Sequence, residues 1–121
     1  MDKQELKERT KKFAIKIIDF IENLPKTKTL DIIVKQLLRS STAIGANYRA
    51  ACKAQSHSHF IFKIGIVEEE TDETIYWLEL INELDNINNK SILQDLLKEA
   101  KELNAIFTTS SITARKNKSK K

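Results

Sequence analysis

The stretch RSSTAIGANYRAACKAQS, residues 39–56, decides how the rest of the chain is read. It is crowded with Ala, Ser and Thr, holds one of the two glycines, and carries Asn47, Tyr48 and Arg49 at its middle, while its neighbours are built from Leu, Ile, Lys and Glu. Small polar residues of this kind suit a loop. The spacing of the apolar positions excludes one: Leu30, Val34, Leu37, Ser41, Ile44, Tyr48, Ala51 and Gln55 recur at steps of four and three, a heptad stripe that runs through the whole stretch. The stretch is therefore read as the second half of a helix over about residues 30–55, with Thr29 as its N-cap.

Three further segments carry the same period. The first spans about residues 3–24, with Leu6, Phe13, Ile17, Phe20, Ile21 and Leu24 on one face, and stops at Pro25. A third runs from about 58 to 84 with Phe60, Ile64, Val67, Thr71, Ile75 and Leu78 as its seam. After the break NINNK, a fourth covers about 91–113, capped by Ser91, with Leu93, Leu96, Ala100, Leu103 and Phe107 facing inward. No segment alternates at period two. Four helices with short connections predict an all-α fold, an antiparallel up-down-up-down four-helix bundle over residues 1–114.

Each face of the second helix has its own character at about 100° per residue. Opposite the seam lie Lys35, Arg39, Thr42, Ala46, Arg49 and Lys53, a basic ridge. On one flank lie Gln36, Ser40, Ala43, Asn47, Ala50 and Ala54, a strip without a large side chain. Gly45 sits beside the core, where Gly costs roughly 1 kcal/mol relative to Ala, so a close neighbour is expected there. The third helix has two apolar lines. Beyond its seam, Phe62, Ile66, Tyr76, Leu80 and Leu84, with Trp77 alongside, fall on nearly the opposite side. A second stripe of that size is expected to meet another chain, so the protein is expected to be a homo-oligomer with Asn47, Phe62, Glu73, Tyr76, Trp77 and Leu80 in the contact. Glu68, Asp72, Glu79 and Glu83 form a solvated acidic line. Glu70 and Glu73 turn toward the second apolar face and need a cation there, for which Arg39, Arg49 and Lys53 are the candidates.

Composition narrows the class. With 121 residues, two glycines, one proline and 31% charged residues, one soluble helical domain is expected. No apolar run approaches the roughly 18 residues of a membrane span, no signal-type segment opens the sequence, and the single Cys52 suits a reducing cytoplasm. Charge is uneven: residues 1–63 hold 13 Lys and Arg against 6 Asp and Glu, a net of +7, while residues 64–121 hold 8 against 11, a net of −3. The terminal RKNKSKK, residues 115–121, is expected to be a disordered basic tail.

Residues 36–80, QLLRSSTAIGANYRAACKAQSHSHFIFKIGIVEEETDETIYWLEL, resemble the signature of the 23S rRNA intervening sequence proteins. The pieces that carry the likeness are RSSTAIGANYRAAC, the following S-x-x-x-F-I-x-K-I, and EE-x-D-E-T-x-Y-W-L-E-L. By position, the pattern falls on Arg39, Ser40, Asn47, Tyr48, Arg49, Glu70, Asp72, Glu73, Tyr76 and Trp77. The resemblance implies a cytoplasmic bacterial bundle that assembles as a ring-shaped homopentamer. It also implies kinship with the accessory protein of diversity-generating retroelements, a basic bundle that partners a reverse transcriptase and nucleic acid. Neither implication reveals a biochemical role.

Catalysis finds little footing. Di-iron bundles use Glu-x-x-His pairs, and no Glu stands three residues before a His. His57, His59 and Cys52 match no standard zinc spacing, and there is no phosphate-binding Gly loop or nucleophile motif. No enzyme activity, cofactor or metal is expected. The reading is a bundle that binds RNA or DNA through phosphate contacts from Lys35, Arg39, Arg49 and Lys53, from Lys11 and Lys12 with Lys7 and Lys16 beside them, and from Arg115 and Lys116 in the tail. The alternative is a protein-interaction scaffold, or an accessory subunit for a nucleic-acid enzyme such as a reverse transcriptase.

Overall fold

The computed structural model describes residues 1–119, which form four helices and no strand: α1 (Lys3–Glu22), α2 (Lys28–Cys52), α3 (His57–Asn82) and α4 (Lys90–Ser119). α2 packs along α3 and α3 along α4, while α1 rests on α2 and, over a shorter length, on α4. The diagonal pairs stay apart, so the helices stand at the corners of a square and alternate in direction. Among the described residues no helix is long and apolar enough to cross a membrane.

Caps explain where the helices begin. Asp2 accepts from the backbone N–H of Glu5 at 2.8 Å, and that hydrogen bond holds its carboxyl below the ordinary carboxylate value. Thr27, not the expected Thr29, caps α2 by accepting from Leu30 N at 3.1 Å. Ser56 caps α3 through His59 N at 3.0 Å. The α3–α4 connection turns on Asn86 and Asn89, both with positive φ, a conformation Asn tolerates better than other side chains. Asn89 O accepts from Leu93 N, so Ser91, expected as a cap, lies inside α4.

All four helices end away from the sequence expectation, α3 at Asn82 instead of about 84. α1 stops at Glu22, where Asn23 donates its side-chain N–H to Asp19 O at 2.9 Å. α2 stops at Cys52, leaving Gln55 outside the helix. α4 continues past the expected end at 113 and takes in the start of the expected disordered tail. Lys and Arg at a helix C-terminus complement its dipole, and no Gly or Pro interrupts this run. Lys120 and Lys121 of that tail lie outside the described residues.

Phe13, Ile17 and Phe20 of α1, Leu37 and Ile44 of α2, Ile64, Val67 and Leu78 of α3, and Leu93, Leu103 and Phe107 of α4 are fully buried. Tyr48 reaches across the core to Phe107, with ring centroids 5.4 Å apart, and burial pushes its hydroxyl well above the ordinary phenol value, so it stays neutral.

Two close approaches set the spacing of the helices. A Cβ on Gly45 would lie 3.2 Å from Thr10 Oγ1 of α1. That hydroxyl is itself fixed, buried and bonded to Leu6 O and Lys7 O at 3.0 Å. On the other flank, Thr74 Oγ1 donates to Ser40 Oγ at 2.9 Å in a buried contact between α3 and α2. Ser40 belongs to the small-residue strip, and its short side chain lets α3 in.

Arg9 ties α1 to α4: its Nε and Nη2 donate to Glu99 at 2.7 and 2.6 Å, and Nη2 reaches Glu102 at 3.2 Å. The Arg9 hydrogen bond holds the Glu99 carboxyl below its ordinary value. The folded state therefore takes up this proton at lower pH than the unfolded chain does, and the associated stability is complete above the ordinary carboxylate range and lost as pH falls through the lowered value.

Gly45→Val is expected to cost about 1–3 kcal/mol by overpacking, and Thr10→Ala in the same chain to recover part of that cost. Urea unfolding of the two single variants and the double variant measures the coupling. Arg9→Met is expected to cost under about 1 kcal/mol at pH 7 and to weaken the loss of stability between pH 5 and pH 3, measured by the urea midpoint at each pH.

Candidate nucleic-acid interface

Alternating helix directions bring the start of α1, the end of α2, the start of α3 and the end of α4 to one end of the bundle. Contacts seal that end: His57 Nε2 of α3 lies 2.8 Å from Ala114 O of α4, and Lys3, His57, Phe60 and Asn117 border one hollow. A carbonyl only accepts, so His57 is the donor and carries its proton on Nε2.

Cations from three helices meet there. Lys3 of α1, Arg49 and Lys53 at the end of α2, and Arg115 and Lys116 of α4 are all exposed, Lys7 is half-buried, and exposed Lys11 and Lys12 follow in the middle of α1. The carboxylates among them are partly engaged: Asp2 caps α1, and Glu8 accepts from Gln4 Nε2 at 3.1 Å. The opposite end mixes signs, with Asp19, Glu22, Glu79, Glu83 and Asp85 beside Lys26, Lys28 and Lys90. Lys7, Lys11 and Arg49 also rim a groove of about 590 Å³ between α1 and α2, floored by Ala14, Gly45 and Ala46.

Of the expected phosphate contacts, then, Arg49, Lys53, Arg115 and Lys116 lie at the basic end, and Lys11, Lys12 and Lys16 follow from the middle of α1 onward. Two more lie elsewhere. Arg39 turns to α3, where Nη1 donates to Glu70 at 2.9 Å and Nη2 to Glu73. Among the three cations suggested for those carboxylates, it is Arg39 that takes both, within one chain. Lys35 is exposed but lies beyond Arg39, toward the other end of α2. Arg115 Nη2 lies 3.9 Å from where a Cβ on Gly65 would sit, over the start of α3. Lys3 was not singled out from the sequence; it joins the site because the fold brings the termini of α1 and α4 together. Arg9 was not singled out either, and no local pattern links it to Glu99, which is 90 residues away.

The expected contact residues of α3 divide in the same manner. Phe62 and Tyr76 are 62% and 56% exposed, whereas Leu80 is half-buried and Glu73 is held by Arg39. Trp77 packs against the core with Tyr76 edge-on at 5.0 Å, and its indole N–H is buried without a partner among the described residues. Asn47 donates to Ala43 O in its own helix at 2.9 Å. Tyr48 is buried in the core and offers no ring to a base, whereas Phe62, in the second turn of α3, is exposed toward that end. Among the described residues, no group of three or more His, Cys, Asp or Glu side chains converges as metal ligands would. The chemistry that the basic end offers is attraction for a polyanion.

Arg39→Met leaves Glu70 half-buried without its cation and is expected to lower stability by about 1 kcal/mol. Lys35→Met, with nothing to release, is expected to stay within about 0.5 kcal/mol. Urea denaturation of the two variants side by side makes the distinction.

The family model described as 23S rRNA-intervening sequence protein matches residues 2–109. A solved structure of a protein with unknown function, from the S23 ribosomal protein family of Bacteroides thetaiotaomicron, is similar at 33% identity over 87% of this chain and 96% of that one, with a TM-score of 0.78. No curated protein matches the chain.

Proposed function

The chain belongs to the 23S rRNA-intervening sequence protein family, and from that premise we propose that it is a non-catalytic, cytoplasmic bundle that self-assembles into a homopentamer and binds RNA or DNA through backbone charge. The observation that carries the nucleic-acid part is the basic end, where the topology gathers Lys3, Lys53, Arg115 and Lys116 from helices far apart in sequence. Cations in such a cluster gain by displacing counterions from phosphates, whatever the base sequence. The apolar outer face of α3 supports assembly, and the number five follows from the family resemblance. Copies aligned side by side would present their basic ends together, so that individually weak sites act in concert. A second reading has its own support: exposed Phe62 and Tyr76 among carboxylates suit a protein partner, which makes the chain a scaffold or an accessory subunit.

Titration of labelled duplex and single-stranded RNA and DNA at several salt concentrations tests the proposal. Affinity is expected to fall steeply with salt and to depend little on sequence. In Lys12→Glu/Lys53→Glu the dependence of log K on log salt is expected to be shallower by about 1–2 units on duplex DNA. Absence of binding at low salt by an intact, helical protein would overturn the nucleic-acid reading and favour the scaffold.

A further inference from the structure

The groove between α1 and α2 is bordered by two matched lines. On α1 Lys7, Lys11 and Ala14 line it and Ile18 continues the row past its end; on α2 Arg49, Gly45 and Thr42 line it and Leu38 continues the row, each row with steps of four, three and four. The steps keep each line on one side of its helix. Read along the groove, Lys7, Lys11 and Arg49 stand with the single acid Glu8, the surface is small at Ala14 and Gly45, and just beyond it Ile18 and Leu38 make it apolar. These last two are 42% and 39% exposed, a pair of aliphatic side chains open to water.

A line of complementary character lies on the outside of α3. Phe62, Glu69 and Tyr76 are seven residues apart, and Leu80 follows four later. Around them the helix is acidic, with no Lys or Arg between Ile64 and Asn89. The internal contacts of the bundle establish how high each residue stands. Thr10 faces Gly45, so Ile18, eight residues on, is level with Leu38, seven residues back, to within about 2 Å at 1.5 Å per residue. Ser40 faces Thr74, so Tyr76, two residues on, is also level with Leu38. By the same count Glu69 is level with Gly45, where Lys11 stands on α1.

We propose that the outer line of α3 in one copy seats in the α1–α2 groove of a second copy, at the same height, as a head-to-tail contact. Tyr76 meets Ile18 and Leu38, Glu69 meets Lys11, and Phe62 lies toward Arg49. The inference deepens the assembly part of the proposed function and does not rest on nucleic-acid binding. Two unlike surfaces in contact make a heterologous interface, which closes into a ring when successive copies gain no rise. The equal heights of the two lines meet that condition. Lys11 then serves the contact, and Lys12, Lys53 and Lys116 remain for phosphates.

Mixing two variants, each blocked on one surface, tests this. Ile18→Asp spoils the groove and keeps α3; Tyr76→Asp spoils α3 and keeps the groove. Both positions are exposed, and circular dichroism checks that the helices persist. By light scattering without nucleic acid, the wild type is expected at a multiple of 13.9 kDa, each variant alone as a monomer, and the 1:1 mixture as a dimer that grows no further. A wild type that is monomeric at about 100 μM, or helical variants whose mixture stays monomeric, would overturn the proposal. Should either variant unfold, Lys11→Glu and Glu69→Lys replace them: each is expected to weaken assembly at least tenfold alone, and a chain carrying both to regain most of it. Failure of that rescue also overturns the proposal. Phosphate binding fails or survives independently, in the salt titration.

Discussion

The approach of two helices to α2, one on each flank, sets most of the remaining structure. On one side Gly45 has no side chain to hold α1 away from Thr10; on the other Ser40 is short enough to bond the Thr74 hydroxyl directly. Helices meeting through small residues come closer than the usual 8–10 Å and lose freedom to slide, because any larger group brought into register would collide. With both flanks fixed, the large side chains of α2, Leu37, Ile44 and Tyr48, have one set of partners, and Tyr48 reaches Phe107.

Ion pairs add direction to that packing. Arg9 with Glu99 and Glu102 joins α1 to α4, and Arg39 with Glu70 and Glu73 joins α2 to α3. Each is part-exposed, so its contribution to stability is modest. Their larger effect is on charge: Arg39 is withdrawn from the basic ridge, and two acids on α3 share its one positive charge. What remains is a basic end and an acidic, aromatic outer face of α3. A chain with net charge +4 thus presents surfaces of both signs in separate places.

That separation gives the proposed self-association and the proposed polyanion binding different ground. Side surfaces match side surfaces at equal height, and the basic end is left facing along the axis. Opposite charges on a rim act mainly on the rate and orientation of encounter, while the apolar pairs at the centre supply affinity.

How much was legible in advance depended on distance along the chain. Periods of four and three revealed all four helices, the inward residues from Phe13 to Phe107, and the need for a close neighbour at Gly45, since side chains one turn apart share a face whatever the helix later meets. The resemblance over residues 36–80 pointed to the family that the match over residues 2–109 shows. Most helix ends were off by one to three residues because single capping hydrogen bonds, such as Thr27 to Leu30 N, decide them, while α4 runs six residues past its expected end. Tertiary structure alone decided which cation met which acid: Arg39, Arg49 and Lys53 were equal candidates for Glu70 and Glu73 by helical angle, and the register set by Ser40 and Thr74 brought only Arg39 to both. It alone brought Lys3 beside the end of α4 and Arg9 onto Glu99, 90 residues away. Local spacing carries no information about contacts across such separations; these arise only when the packed core has placed the helices side by side.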